Sequence, residues 1–227
     1  MTTTTVKHPD QRVAVFIDAQ NLYHSARSLY GARVNFREVL DAAVAGRKLI
    51  RAFGYVVRTK TGEEQPFFDA LVALGIETRV RDLQEFFGGA KKADWDVGLA
   101  IDAVRTAEIV DAIVLVSGDG DFKEMLEYVK NKGRRVEVIA FGRSTSSKLK
   151  EVVDEFIDLD QDPGRYTMKK GGFFSRQDDE TAAMDAVDDA LSENALTSTP
   201  DEDLPQKSKP SAPESPKKSK KDPIIHL

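Results

Sequence analysis

Two apolar runs in this sequence end abruptly in carboxylates. The run "VAVFI" at 13–17 is followed directly by Asp18, and the run "AIVLV" at 112–116 is followed by "SGDGDF", which places Asp119 and Asp121 one residue apart. Carboxylates that are crowded together repel one another, and a cation between them relieves the repulsion. Aspartates and glycines after a strand are also common in tight turns. The pattern therefore indicates either a cation or nucleotide site, or a turn.

A third acidic group stands at the start of a predicted helix, in the segment "KKADWDVGLAIDAV". Asp94 is a candidate N-cap, because its side chain can accept hydrogen bonds from backbone N–H groups two or three residues further on. Asp96 then lies in the first turn, whereas Asp102 points elsewhere around the helix. Asp96 is therefore the better candidate for the site, and the spacing leaves Asp94 open as the alternative ligand.

Strand-like runs alternate with helical patterns along most of the chain, which predicts βαβ units, a mainly parallel sheet and an α/β fold. In a doubly wound sheet of strand order 3-2-1-4-5, the first and fourth strands are neighbours, and a crevice opens at their carboxyl ends. Given that order, Asp18 and Asp119 project into one crevice, with Asp121 close behind. The predicted strands are 13–17, 49–57, 77–83, 112–116, 135–141 and 155–159.

Apolar residues at helical spacing predict the helices between these strands. In the helix that begins near Asp96, the predicted apolar face is formed by Val97, Ala100, Ile101 and Val104. The helix that follows "SGDGDF" is predicted to stop at "NKG", where Gly133 is a typical helix terminator.

A crevice lined by carboxylates suits Mg²⁺ or Mn²⁺, which prefer oxygen ligands, retain waters and bind phosphate oxygens. Such an ion activates water and neutralises charge on a phosphodiester during in-line attack. Asn21 lies one helical turn past Asp18 and is a candidate to orient a water or an aspartate. Ser117 can donate to a carboxylate or to a phosphate. The alternative is that Asp121 only caps the following helix.

Other chemistries lack the residues that they need. The 227-residue chain has no cysteine and only three scattered histidines, which excludes disulfides and thiolate sites and argues against a zinc cluster. The sequence contains no P-loop, no GxSxG elbow and no third glycine for a dinucleotide fingerprint. Gln20 stands where aspartyl phosphatases have a second aspartate. The net charge of -5 argues against a broadly basic nucleic-acid-binding surface, but it allows a local basic groove.

Composition also predicts how the chain is organised. Residues 1–12 are expected to form a flexible arm and 13–162 the folded domain. Residues 163–196 are interpreted as a linker with a short acidic helix, and 197–227 as a disordered tail rich in Pro, Ser and Lys that could recruit a protein partner. No apolar run is long enough for a transmembrane helix or resembles a signal peptide, so a cytoplasmic location is expected.

Three motifs occur in order along the chain: "VFIDAQNLY", "KKADWDVGLAIDAV" and "IVLVSGDGDF" with its continuation to "VIAFGRSTSSKL". Together with "VDEFIDL", they resemble the NYN-domain proteins of the LabA-like bacterial group, within the PIN-like nuclease assemblage. This resemblance implies a Rossmann-like three-layer α/β/α fold and a divalent-metal site that cuts RNA. Carried onto this chain, the acidic positions of the family fall on Asp18 (with Asn21 beside it), Asp96, Asp119 and Asp121.

The main functional hypothesis is a Mg²⁺- or Mn²⁺-dependent endoribonuclease. Asp18, Asp96 and Asp119 would hold the metal, and Asp121 would be a further ligand or would orient a water. Basic residues near the crevice are candidates to hold the RNA backbone, and these are Lys91, Lys92, Arg143 and Lys148. One alternative is a non-catalytic regulatory module of the same fold that binds RNA or a protein. Another is a nuclease that acts on DNA, and a homo-oligomer is a further hypothesis.

Overall fold

The computed structural model describes residues 7–59, 64–85, 91–92 and 94–168 of the chain. The strands in chain order are β1 (Arg12–Asp18), β2 (Arg33–Val34), β3 (Lys48–Arg58), β4 (Glu77–Asp82), β5 (Gln84–Glu85), β6 (Lys91–Lys92), β7 (Ala112–Val116), β8 (Arg135–Ala140), β9 (Glu155–Asp158) and β10 (Thr167–Met168). The α-helices are α1 (Ala19–Tyr30), α2 (Phe36–Val44), α3 (Gln65–Ala73), α4 (Asp96–Thr106), α5 (Lys123–Asn131), α6 (Ser147–Val152) and α7 (Pro163–Tyr166). Short 3-10 helices cover Gly120–Phe122, Gly142–Ser144 and Leu159–Gln161.

Six of these strands form one parallel sheet in the order β4-β3-β1-β7-β8-β9. Numbered along the chain within this sheet, the order is 3-2-1-4-5-6, so the predicted doubly wound arrangement is confirmed. β1 and β7 are neighbours, with Ile17 opposite Val116. Because both strands run in the same direction, the residues that follow them emerge together. We call the side on which the strands finish the carboxyl end of the sheet, and the opposite side its amino end.

Helices cover both faces of this sheet, so the predicted α/β architecture is confirmed. Successive side chains of a strand point to opposite faces. Val15 and Ile17 of β1 pack in one core with α1, α2 and α3, whereas Ala14 and Phe16 pack in the other with α4 and α5. All four side chains are fully buried. The strand is therefore apolar throughout instead of alternating between apolar and polar residues.

The side of α4 that faces the core differs from the prediction. Leu99 is fully buried, whereas Val97 and Ile101, which belong to the predicted apolar face, are 72% and 45% exposed. Apolar residues occur on more than one side of this helix, so periodicity alone does not select the buried side. The hydroxyl of Tyr55 in β3 donates to Asp102 of α4 at 3.1 Å, and this tertiary contact holds α4 in the orientation that buries Leu99.

The predicted strands of the main sheet lie within one residue of their observed limits. The predicted stop after α5 is also confirmed, since α5 ends at Asn131 and Gly133 has a φ of 78°, a left-handed conformation that glycine adopts without strain. Helix α1 and the two-residue strand β2 are not among the predicted elements. A strand of this length carries too little periodicity to be recognised in a sequence.

At the amino end of the sheet, acidic side chains are paired with arginines. Glu137 of β8 is fully buried and receives two hydrogen bonds from the Arg47 guanidinium, at 2.7 and 2.9 Å. Arg135 donates to the same carboxylate at 2.6 Å. Nearby, Arg12 and Asp111 form an ion pair at 2.6 Å. The Arg47–Glu137 and Arg12–Asp111 pairs connect segments that are far apart in the sequence.

The described part of the chain continues to Met168. β10 pairs antiparallel with β2, with Thr167 opposite Val34, so the first residues of the segment interpreted as a linker belong to a second, small sheet. Within the predicted arm, Lys7 lies 3.1 Å from Glu155. The predicted acidic helix and the tail lie outside the described residues. None of the helices in the described part has both the length and the apolar character that a membrane crossing needs.

Candidate metal centre

Asp18 is the last residue of β1 and the N-cap of α1. Its Oδ1 accepts a hydrogen bond from the backbone N–H of Asn21 at 3.1 Å. This bond satisfies one of the donors that the start of a helix leaves unpaired. Its Oδ2 accepts from Ser117 Oγ at 3.2 Å. The carboxylate is thereby held at the carboxyl end of the sheet, between β1 and β7.

The side chains of Asn21 and Ser117 connect the ends of these two strands. Asn21 Oδ1 accepts from the backbone N–H of Gly118 at 2.9 Å. Ser117 is fully buried, and its Oγ also accepts from the backbone N–H of Asp119 at 3.2 Å. A Cβ at position 118 would lie 3.1 Å from the Ser144 carbonyl oxygen, so glycine permits the close approach of this loop. Asn21 and Ser117 thus position the loop that carries Asp119.

Asp119 and Asp121 belong to the short turn of 3-10 helix after β7. Asp119 is its N-cap, and its Oδ1 accepts from the backbone N–H of Asp121 at 3.0 Å. The alternative in which Asp121 only caps the next helix is wrong, because Asp119 caps this turn and Phe122 is the N-cap of α5. Asp121 is exposed, so its carboxylate can reach a ligand that arrives from solvent.

Asp96 is the first residue of α4. Asp94 Oδ1 accepts from its backbone N–H at 2.9 Å, which is the predicted capping hydrogen bond, although the N-cap position itself is Trp95, one residue later. The Trp95 indole donates from Nε1 to the Val56 carbonyl oxygen at 2.9 Å. The ring also lies close to Gly98, where an added Cβ would come within 2.8 Å of a ring carbon. These contacts of Trp95 fix the start of α4 above the sheet.

Three carboxylates meet at the carboxyl end of the sheet. One oxygen from each of Asp96, Asp119 and Asp121 lies within 4.8 Å of the others. Asp18 stands beside this group, and its charge contributes to the raised pKa of Asp96. Of the predicted ligands, the structure thus brings Asp96 and Asp119 together with Asp121, and Ser117 connects Asp18 to them.

Burial and like charge raise the pKa of two of these carboxyls. The pKa of Asp96 rises to about 7, first because of burial, then because of Asp94, and further because of Asp119 and Asp18. The pKa of Asp18 rises to about 6, mainly because of burial, although the hydrogen bonds that it accepts oppose the rise. A cation among these groups favours their charged forms. The arrangement therefore has the electrostatics of a site for a positive ion.

The residues predicted to hold RNA have different surroundings. Arg143 is exposed, but its guanidinium lies 3.3 Å from Asp160 and 4.8 Å from the centroid of the Tyr30 ring. Lys148 is exposed in the first turn of α6. Lys91–Lys92 form β6, which pairs with β5. Arg143 is therefore engaged in contacts within the chain, whereas Lys148 is presented to solvent.

Sequence analysis did not single out Arg81 and Trp95, which lie beside the carboxylates. The Cζ atom of Arg81 lies 4.3 Å from the centroid of the Trp95 ring, and the guanidinium donates to the Asp94 carbonyl oxygen. No local spacing connects β4 to the start of α4. The sequence contained one indication of these arginines: Arg79 and Arg81 are two residues apart in a predicted strand, which places both side chains on the same face of the sheet.

Comparisons with known proteins agree with this architecture. The family model described as "NYN domain" matches residues 12–160. The low amplitude and bright protein LabA of Synechococcus elongatus is 32% identical over 157 residues, which cover 65% of this chain and 83% of LabA. A crystal structure of VPA0982, a protein of unknown function from Vibrio parahaemolyticus, is 27% identical and superposes with a TM-score of 0.65, over 72% of this chain and 100% of that one.

Proposed function

This chain belongs to the NYN domain family, and on that premise we propose that it is a divalent-metal-dependent ribonuclease that cleaves RNA internally. NYN domains are usually nucleases, and the similarity to this family and to LabA supports an RNA-related function. The observation that carries the proposal is the group of three carboxylates, Asp96, Asp119 and Asp121, at the carboxyl end of the sheet.

The donors of this group fit Mg²⁺ or Mn²⁺. They are carboxylate oxygens, which hard divalent cations prefer. Burial and neighbouring carboxylates disfavour the charged form of Asp96 and raise its pKa to about 7, and a bound cation would offset this by favouring the charged form. When bound, such an ion supplies a Lewis acid that activates water and neutralises charge on the phosphodiester.

We assign the ligand roles to Asp18, Asp96 and Asp119, with Asp121 as a fourth candidate. The hydroxyl of Ser117 contacts both Asp18 Oδ2 and the backbone N–H of Asp119, so it keeps these two aspartates at a set separation. Asp121 is exposed, and its carboxylate either completes the ligand set or accepts a hydrogen bond from the attacking water. Phosphate contacts are assigned to Lys92, Lys148 and Arg143, the last after its release from Asp160.

The direct test is cleavage of a labelled mixed-sequence RNA by the full-length chain in Mn²⁺, Mg²⁺ or EDTA. Asp119→Asn is expected to reduce metal-dependent cleavage by at least about a hundredfold, because it removes a charged oxygen from the centre of the group. The matched control is Asp41→Asn, which makes the same change at an exposed position of α2 and should leave cleavage unchanged.

The outcomes separate the competing functions. Cleavage that survives in EDTA, or that is equal in Asp119→Asn and Asp41→Asn, would contradict the proposal. RNA binding without cleavage in either metal would support the non-catalytic module instead. Faster cleavage of a DNA strand of the same sequence would support a nuclease for DNA.

We also propose a cytoplasmic location, a protein partner and a homo-oligomer for this chain. A cytoplasmic location is in keeping with the absence of cysteine from the sequence. Residues 197–227 are proposed to recruit a protein partner, and a pull-down that compares the full-length chain with a chain ending at residue 196 tests this. Light scattering of the full-length protein tests whether it forms a homo-oligomer.

A further inference from the structure

β4 brings two arginines to the neighbourhood of the carboxylates. Among the described strands of the main sheet, β4 is the outermost on its side and pairs with β3. Arg79 and Arg81 lie on the face that carries α4, because Arg79 contacts Asp102 and Arg81 contacts Trp95. Arg81 is exposed. The start of α4 is therefore flanked by acidic groups and by basic ones.

Arg81 is held in place by contacts on the inner side of its guanidinium. It stacks on Trp95 at 4.3 Å and donates to the Asp94 carbonyl oxygen. Trp95 is itself fixed by its hydrogen bond to Val56 and by an edge contact with the Tyr55 ring at 5.4 Å. A side chain that is already ordered loses less entropy when it binds a ligand. A guanidinium has five N–H donors, so it can bind a phosphate and keep its bond to Asp94.

The position of Arg81 relative to the carboxylates follows from a short chain of bonds. Arg81 donates to the backbone of Asp94, and the Asp94 side chain accepts from the backbone N–H of Asp96. An RNA strand that approaches a group of carboxylates is repelled by them, and a neighbouring fixed cation offsets this repulsion. Arg79 is less suited to that role, because it lies 3.3 Å from Asp102 and 4.9 Å from the Phe53 ring centroid.

We propose that Arg81, held by Trp95 and the Asp94 carbonyl, binds a backbone phosphate of the RNA strand that enters the carboxylate site. The identity of the ligand as RNA rests on the proposed function. The capacity to bind a phosphate rests on the geometry around Arg81. Arg81 contacts substrate in this arrangement, whereas Trp95 is a positioning residue that acts through it.

The test is binding of a fluorescent single-stranded RNA to full-length chains that all carry Asp119→Asn, so that cleavage does not interfere. Arg81→Ala is expected to weaken binding roughly tenfold, as for the loss of one hydrogen bond to a charged group. The slope of log affinity against log salt should also fall by about 0.7, the value for one phosphate contact on a single strand. The RNA affinity of Arg81→Lys should lie between those of Arg81 and Arg81→Ala, because lysine keeps the charge but loses the planar stack on Trp95.

The matched control is Arg105→Ala, which removes the same charge from an exposed position near the other end of α4, about 14 Å along the helix. It should leave both affinity and salt slope unchanged. Equal affinities and slopes for Arg81→Ala and Arg105→Ala would overturn the inference, as would failure of the Asp119→Asn chain to bind RNA. If Arg81→Ala does not fold, the RNA affinity of Arg81→Lys is compared with that of Arg105→Ala instead.

This experiment separates the inference from the proposed function. If the wild-type chain cleaves RNA and Arg81→Ala binds it with unchanged affinity, the ribonuclease proposal stands and the role of Arg81 is overturned. If no metal supports cleavage but RNA binding depends on Arg81, the role of Arg81 stands and the ribonuclease proposal is overturned.

Discussion

Acidic side chains at the two ends of the main sheet have contrasting surroundings. At the amino end, Glu137 lies between the guanidinium groups of Arg47 and Arg135, at hydrogen-bonding distance from both. At the carboxyl end, Asp96 and Asp119 lie next to each other and to a further carboxylate, within 4.8 Å. The neighbouring strands β1 and β7 therefore have an ion pair, Arg12–Asp111, beside their amino ends and crowded like charges beside their carboxyl ends.

The pKa values of the carboxyls follow this contrast. Hydrogen bonds from Arg12 lower the pKa of Asp111 to about 2. Burial would raise the pKa of Glu137, but the hydrogen bonds from Arg47 and Arg135 outweigh it, and the pKa is lowered. At the carboxyl end, burial and like charge instead raise the pKa of Asp96 to about 7.

The difference separates carboxylates that are paired within the chain from carboxylates that are crowded together. Charged carboxylates at the amino end are matched within the chain, so they contribute to stability at neutral pH. Charged carboxylates at the carboxyl end lie beside like charges, so they oppose folding. Sites for ligands are commonly less stable than the scaffold that supports them.

The largest expected effect lies at the amino end. Glu137→Ala should lower the free energy of unfolding by about 3–5 kcal/mol, because it leaves the charge of Arg47 buried without its carboxylate partner. Urea unfolding measures this loss. The control is Glu77→Ala, which breaks the exposed ion pair with Arg51 and should cost less than about 1 kcal/mol. Equal losses of unfolding free energy in the two variants would show that the buried Glu137 stabilises the fold no more than an exposed ion pair does.

A smaller effect is expected where Asn21 connects the two strand ends. Asn21→Ala removes the acceptor of the Gly118 N–H and so loosens the loop that carries Asp119. Mn²⁺ affinity, measured by calorimetry, should fall about tenfold, as for residues that orient metal ligands. Asn35→Ala is the control, since the Asn35 side chain likewise accepts a hydrogen bond from a backbone N–H, that of Glu38 at the start of α2. It should reduce stability without changing Mn²⁺ affinity, and a similar fall in affinity would contradict this role for Asn21.

The smallest expected effect is a pH dependence of stability that arises from Asp96 at the carboxyl end. The pKa of Asp96 is raised from 3.8 to about 7, so the unfolded chain releases this proton at lower pH than the folded chain does. Wild-type stability in EDTA should therefore fall as pH rises from about 4 to about 7. Asp96→Asn lacks this titration and should melt roughly 2 °C above the wild type at pH 8.

This difference between Asp96→Asn and the wild type should shrink as pH falls to about 4 and below, because Asp96 of the wild type then becomes protonated in the unfolded state as well as in the folded one. Saturating Mn²⁺ should reverse the order at pH 8, because the ion stabilises the wild-type chain by binding its folded state. Asp41→Asn should follow the wild type throughout. A melting difference that is constant with pH would contradict the raised pKa of Asp96.

Much of the fold could be predicted because its signals are local. Apolar runs such as 13–17 mark strands buried on both faces, and an aspartate after such a run marks the carboxyl end of the sheet. The wrong predictions concern α4. Its apolar residues surround more than half of the helix, so Val97 was placed inward, and its N-cap is Trp95 instead of Asp94.

The acidic residues of the candidate site were also predicted from local signals in the sequence. Asp18, Asp96, Asp119 and Asp121 were all named from the sequence, and the structure brings the last three together. Their roles as metal ligands remain a prediction for the cleavage and metal-binding experiments. The contact of Arg81 with Trp95 was not predicted, because the spacing of residues within β4 carries no information about the start of α4.

The sequence by itself determined where the strands of the main sheet run and which aspartates follow them. These features depend on residue types within a few positions of one another. Only the tertiary structure decided that Arg47 meets Glu137, that Arg81 stacks on Trp95 and that Leu99, not Val97, faces the sheet. Such contacts depend on how each helix and loop packs against the sheet, and the packing of distant segments is not encoded in local periodicity.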